Sequence, residues 1–146
     1  EIFRTGNLPV WIIEEAGGTY YGFPLWGIPG FKFGRMHHRE EIVDPDQMDR
    51  ECHPADEALL RAFAERYFPQ ATGPTLSLKA CLFSNTPDEH FIVDRHPDCP
   101  QVVFGAGYSG HGFKFASVMG EVLAELAVDG KTRHEIDFLR LDRFKE

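Results

Sequence analysis

A cysteine, a glycine-rich turn and two lysines are the residues of this chain whose types and spacing could do chemistry. Cys81 opens the segment CLFSNTPDEHF (residues 81–91), and the later segment VVFGAGYSGHGFKF (residues 102–115) holds Gly105-x-Gly107-x-x-Gly110 after an apolar stretch. Glycines at that spacing let a backbone approach phosphate at a helix N-terminus. A dinucleotide unit also needs a second parallel strand after the helix and an acidic residue about 20 positions further on. Only 16 residues follow Gly130, the expected helix stop, so the turn is expected to meet something other than pyrophosphate. His111 and Lys114 lie three apart where that helix should begin, which puts them on one face. A cation at a helix N-terminus opposes the macrodipole by about 0.3 to 1 kcal/mol, so Lys114 there implies a compensating anion. Cys81 has two readings on its own: a small buried hydrophobe, or a thiolate nucleophile in an electropositive setting. Lys32, between Phe31 and Phe33, reads from pattern alone as a solvent-facing strand lysine, and Tyr20 and Tyr21 must point to opposite faces of their strand. The pairs His37/His38 and His90/His96 lack the carboxylate or cysteine company and spacing of a zinc site, so no metal is expected.

The elements that must hold these residues follow from periodicity. Residues 9–14 (PVWIIE), 19–25 (TYYGFPL) and 31–38 (FKFGRMHH) are aromatic and β-branched stretches parted by Gly and Pro, and they read as an antiparallel meander. Residues 55–67 place Leu59, Leu60, Phe63 and Tyr67 at helical spacing, with Pro69 ending the helix, which is expected to pack on the sheet. Residues 75–83, 91–94 and 101–105 read as further strands. Residues 112–129 read as a second helix with Phe113, Val118, Leu123, Leu126 and Ala127 on its apolar side and Gly130 as its stop. The fold class is therefore α+β, with a break in character near residue 80.

With 146 residues and 42% hydrophobic content the chain can build a core. A net charge of −8 repels phosphate surfaces, which argues against nucleic-acid and anionic-membrane partners. Cys52, Cys81 and Cys99 form no C-x-x-C pair and are odd in number, which fits a reducing cytoplasm. No apolar run approaches the roughly 20 residues of a membrane span.

Taken together, YYGFP (residues 20–24), GFKFG (30–34), DPD (44–46), the cysteine segment, SGHGFKF (109–115) and FLRLDRF (138–144) resemble the carboxy-terminal part of the monomeric sarcosine oxidase and N-methyltryptophan oxidase family, flavoenzymes of the D-amino-acid-oxidase-like group. The resemblance covers nearly the whole chain. It implies that residues 1–80 are part of a substrate-binding domain, an antiparallel sheet with a packed helix. Residues 81–146 would then be a strand, turn and helix completing a discontinuous FAD-binding domain. It also implies that the chain is a fragment lacking the amino-terminal strand and true fingerprint, and that the fragment alone binds no FAD and shows no oxidase turnover.

The same resemblance assigns roles. Cys81 carries the flavin as a thioether, Lys32 stands over the flavin and promotes reduction of oxygen, and Tyr21 lies near bound substrate. Lys114 binds the substrate carboxylate, His111 flanks the flavin, and Gly110 and Gly112 belong to the turn whose amides face its pyrimidine end. Phe83 lines the pocket where the family often has tyrosine, which removes a hydroxyl and leaves the substrate open. The implied activity is oxidation of the C–N bond of a secondary N-methyl amino acid by FAD and oxygen, giving hydrogen peroxide. Oxidation of a cyclic imino acid such as pipecolate, or a non-catalytic binding or assembly module, are the alternatives.

Overall fold

The structure is a computed structural model that describes residues 1–145, and it divides into two compact units, Glu1–Leu82 and Phe83–Glu146. In the first, β1 (Trp11–Glu15), β2 (Gly18–Phe23) and β3 (Lys32–Arg35) form the meander read from the sequence, with β2 in the centre. Ile12 faces Tyr21 across one ladder, and Tyr21 faces Gly34 across the other. Because side chains alternate along a strand, Trp11, Tyr20 and Phe33 share one sheet face and Ile12, Tyr21, Phe23 and Lys32 share the other.

Helix α1 (Pro54–Tyr67) accounts for the buried face. Pro54 stands in its first turn, the carboxylate of Asp56 accepts a hydrogen bond from the His53 amide at 2.8 Å, and the chain leaves the helix before Pro69. Phe63, 3% exposed, stacks on Tyr20 with ring centroids 3.7 Å apart and on Trp11 at 6.0 Å. Phe31, Phe33 and Phe68 close the cluster. The core of this unit is thus a block of aromatic rings, whose large buried area and stacked and tilted contacts let a three-stranded sheet hold one helix.

In the second unit β4 (Ile92–Arg95) and β5 (Val103–Ala106) pair antiparallel, and α2 (Ala116–Val128) covers them. Phe91, Val93, Val122, Leu126 and Leu139 form the core. Asp129 caps α2 and Gly130, at φ +76°, follows in the left-handed conformation that ends a helix. The carboxy-terminal residues are two short 3-10 turns, Asp137–Leu139 and Leu141–Phe144. They are tied back at two points: the Leu141 amide donates to Asp94 Oδ2 at 2.9 Å, and the Arg143 guanidinium grips Asp88 with bonds of 2.7 and 3.0 Å.

Three expectations are corrected. Residues 75–83 form no strand, because no neighbouring chain segment among the described residues offers their amides and carbonyls a ladder. The second α-helix starts at Ala116 rather than Gly112, since Phe113–Phe115 is wound as a 3-10 turn. That tighter winding breaks the 3.6-residue phase. Phe113 accordingly points outward at 96% exposure and Ala127 is exposed, while Phe115 packs at the core edge in Phe113's stead.

Two outcomes follow from this packing. Phe63→Ala removes the ring on which Tyr20 and Trp11 lie, and is expected to destabilise the first unit by about 3 to 5 kcal/mol in urea unfolding followed by tryptophan fluorescence. A loss within the ~0.5 kcal/mol of a surface substitution would show that the stack contributes nothing. The hydrogen bond from Arg143, helped by the His90 amide, holds the Asp88 carboxyl well below its ordinary value of 3.8. A depressed folded-state pKa means the stabilisation is complete above the unfolded value and is lost as pH falls through the folded one. In a carbon-detected NMR titration Arg143→Gln should return the Asp88 midpoint toward 3.8, and an unmoved midpoint would remove Arg143 as its cause.

Candidate functional site

Each unit assembles its own share of the expected site residues. In the first, Tyr21 and Lys32 project from the sheet face that α1 does not cover. The Tyr21 ring lies over Gly34, where a Cβ would stand 2.9 Å from the phenol oxygen, so glycine at that ladder position lets the ring lie flat across β3. Phe23 meets the Tyr21 ring edge-on at 6.2 Å, and the Lys32 ammonium sits 5.5 Å from the Phe23 centroid. Tyr20 takes the opposite side, stacked and 4% exposed, as alternation requires.

Cys81 belongs to the same unit, exposed and free of any disulfide. Burial, and after it the charge of the Cys81 thiolate, push the Tyr21 phenol above its ordinary pKa of 10.0. Tyr21 therefore remains a neutral hydroxyl able to donate a hydrogen bond throughout the neutral range. The sequence placed Tyr21, Lys32 and Cys81 in three separate motifs; the fold puts the first two on one face and the third within electrostatic reach of Tyr21.

The second unit shapes the glycine turn. Its glycines are required by neighbours in the same chain. A Cβ on Gly105 would overlap the Tyr108 hydroxyl and one on Gly107 the Thr86 methyl, while one on Gly110 would stand 2.7 Å from the Phe83 ring. Gly107 and Gly110 also have φ of +62° and +75°, a region closed to most side chains. Phe83 is thereby seated against the turn, so its ring forms part of the wall that the turn presents.

His111 and Lys114 line a cavity of about 220 Å³ together with His90, Phe91, Phe115 and Phe138. The fold thus brings these two site residues together, with Gly110 and Gly112 in the turn beside them. Lys114 stands in the 3-10 turn ahead of α2, two residues before the helix begins, and its ammonium lies 5.1 Å from the Phe115 ring centroid. The aromatic face supplies part of the compensation that the macrodipole argument assigned wholly to an anion.

Residues that sequence reasoning missed are Thr86 and Ser109, 7% and 2% exposed and the buried polar residues of the second unit. The Thr86 amide donates to Ser109 Oγ at 3.3 Å, Ser109 Oγ donates to the Gly107 carbonyl at 3.1 Å, and Thr86 Oγ1 donates to the His90 carbonyl at 2.7 Å. A serine before a glycine in a tight turn was the available signal. His38, one of the histidines weighed for a metal, bonds Asp56 at 3.1 Å. A different group, Glu121, Glu125 and His134, brings ligand-type atoms within 4.8 Å of one another. There the Arg133 guanidinium already bonds Glu121, and the Thr132 hydroxyl bonds Glu125.

The chain's relatives agree with one another. It is 47% identical over 142 residues to the monomeric sarcosine oxidase of Bacillus sp. (strain NS-129), covering 96% of this chain and 36% of that protein. It is 37% identical over 153 residues to the N-methyl-L-tryptophan oxidase of Escherichia coli O139:H28 (strain E24377A / ETEC), covering 97% and 36%. Against the peroxisomal sarcosine oxidase of Homo sapiens it is 36% identical over 129 residues, covering 85% and 32%. The chain thus spans about a third of the length of these relatives. A family profile described as FAD dependent oxidoreductase matches residues 3–126, most of the chain, and the chain belongs to that family.

Proposed function

We propose that the protein containing this chain is a flavin-dependent oxidase acting on the C–N bond of secondary N-methyl amino acids of the sarcosine or N-methyltryptophan type, with oxygen as second substrate and hydrogen peroxide as product. The observation that carries this reading is the uncovered sheet face: a neutral tyrosine hydroxyl and a lysine on one face, each in contact with the Phe23 ring, with a free, exposed thiol within electrostatic reach of the tyrosine. Residues 1–80 supply a substrate-domain part and residues 81–146 an FAD-domain part in this reading. A cytoplasmic location belongs to it as well, supported by three cysteines without a disulfide.

The residues fit the family's cofactor. When bound, FAD supplies the acceptor for the electron pair that leaves the substrate C–N unit, and it passes those electrons on to oxygen. Cys81 is accessible to form a thioether, and its thiolate is the form that would react. Lys32 holds a fixed positive charge on the sheet face, which favours the side of a reaction on which negative charge develops. Tyr21 offers its O–H to an acceptor on the same face. In the second unit Lys114 provides a charge for a carboxylate and Phe91, Phe115 and Phe138 provide apolar walls, the combination a small amino acid requires, while Phe83 stands against Gly110 in the adjoining turn. His111 contributes a polar group to that wall.

Replacing Cys81 by Ala in the flavin-loaded protein should yield flavin that is released into the supernatant on acid precipitation, and flavin retained in the pellet would place the attachment elsewhere. Lys32 and Lys114 are expected to divide the turnover between them. Lys32→Met should slow the oxygen half-reaction in stopped flow and leave the anaerobic half-reaction with substrate much less affected. Lys114→Met should weaken substrate binding by the roughly 1.5 to 3 kcal/mol of a charge-assisted hydrogen bond. An oxygen step at wild-type speed in the first variant, or an unchanged substrate dissociation constant in the second, would return that lysine to the role of a surface charge.

A further inference from the structure

We infer that Ser109, braced by Thr86, is a positioning residue that locks His111 as the Nδ1–H tautomer, so that the imidazole presents an acceptor lone pair at Nε2 in the cavity it shares with Lys114. Ser109 is 2% exposed and sits at φ +47°, a left-handed conformation rare for serine. A residue keeps such a conformation only where its surroundings over-determine it. Here the surroundings are explicit. The Ser109 amide donates to the Ser84 carbonyl at 3.1 Å, its hydroxyl accepts from the Thr86 amide at 3.3 Å, and the same hydroxyl donates to the Gly107 carbonyl at 3.1 Å. Thr86 is itself held by its 2.7 Å bond to the His90 carbonyl.

With both the amide and the side chain of Ser109 fixed, the direction of its carbonyl is fixed too, and that oxygen lies 2.8 Å from His111 Nδ1. A carbonyl oxygen has no proton to give, so Nδ1 must carry the hydrogen. The His111 amide bonds the Tyr108 carbonyl at 3.0 Å, and the Phe91 ring packs against the imidazole with centroids 5.0 Å apart, which holds the ring in place. The imidazole forms no other hydrogen bond among the described residues. With Nδ1 carrying the hydrogen, the uncharged form of the ring can only offer its acceptor at Nε2, while Lys114 offers a cation lining the same cavity. One cation and one acceptor suit a ligand that carries an anion and an N–H donor, the two ends of an amino acid. This ligand class rests on the oxidase reading; the tautomer lock does not.

Histidine-selective 15N NMR of the full-length, flavin-loaded protein tests both parts, with the His111 signals assigned by their loss in His111→Gln. At a pH alkaline enough for the ring to be uncharged, where alone a tautomer is defined, the wild type should show a protonated Nδ1 and an unprotonated Nε2. Ser109→Gly, which tolerates the positive φ but removes the hydroxyl, and Thr86→Val, which removes the brace, should each lose the single-tautomer pattern and give a mixed one. Val118→Ala, a core truncation on α2 away from the hydroxyl pair, should keep it. A wild type protonated at Nε2, or Ser109→Gly and Thr86→Val proteins that fold by circular dichroism and still show pure Nδ1–H, would overturn the lock. So would a Val118→Ala protein that loses the pattern as readily, since general loosening would then explain it. Glycine, which keeps the N–H donor and the carboxylate but has no N-methyl C–N bond to be oxidised, should shift the Nε2 resonance whereas acetate, which lacks the N–H, should not. Equal responses to the two would overturn the ligand class and leave the lock standing.

Discussion

Residues 84–91 lead out of a segment that forms no ladder and into β4, so their backbone groups have to be satisfied by something other than a sheet. Buried amides and carbonyls left without partners would cost about as much as the hydrogen bonds they lack. Thr86 and Ser109 meet this requirement from opposite sides, one in the cysteine segment and one in the glycine turn. Their hydroxyls and amides serve Gly107, His90 and each other, and the Ser109 amide serves Ser84. The second unit depends on this joint: without it the turn has no reason to hold its left-handed residues, Phe83 has no seat on Gly110, and His111 has no oriented carbonyl beside it.

A second tie reaches the same segment from the carboxy terminus. Arg143 is mostly buried and makes a two-point contact with Asp88 while also donating to the His90 carbonyl at 2.9 Å. His90 therefore has its carbonyl held by both Thr86 and Arg143, and its ring meets Phe138 edge-on at 6.1 Å. A two-point guanidinium–carboxylate contact constrains orientation as well as distance. The loop that lines one side of the cavity is thus fixed by long-range polar contacts rather than by belonging to a regular element.

That distinction explains what the sequence could and could not disclose. The meander was legible because Tyr20/Tyr21 and Phe31/Phe33 alternate with the pleat, and α1 because Leu59, Leu60, Phe63 and Tyr67 follow the helical period and Pro69 ends it. These are local patterns. The expected strand at residues 75–83 has the apolar content of a strand, but a strand also needs a partner edge, which no pattern within the segment can supply. The start of α2 differs from the expected one because a 3-10 turn and an α turn use the same residues in different phase, so that Phe113 is turned outward and Phe115 packs at the core edge expected of Phe113. Within the candidate site, Tyr21, Lys32, Lys114 and His111 were visible as chemical types, whereas Thr86 and Ser109 look like ordinary turn residues until their separation of 23 positions is closed by folding.

The two lysines share a feature that neither motif announces: each ammonium lies over a phenylalanine ring, Lys32 over Phe23 and Lys114 over Phe115. At an exposed site such a contact contributes about 0.5 to 1 kcal/mol, while a charge-assisted hydrogen bond to an anion contributes about 1.5 to 3 kcal/mol. The ordering matters more than either value. A ring contact of that size restrains a side chain that would otherwise lose close to 2 kcal/mol of rotamer entropy on being ordered, yet it is weak enough to yield when an anion arrives. A lysine resting on water alone would have to be ordered by its ligand, and one in a full salt bridge would have to break it. The phenylalanine rings hold both cations between these extremes, partly ordered and still available.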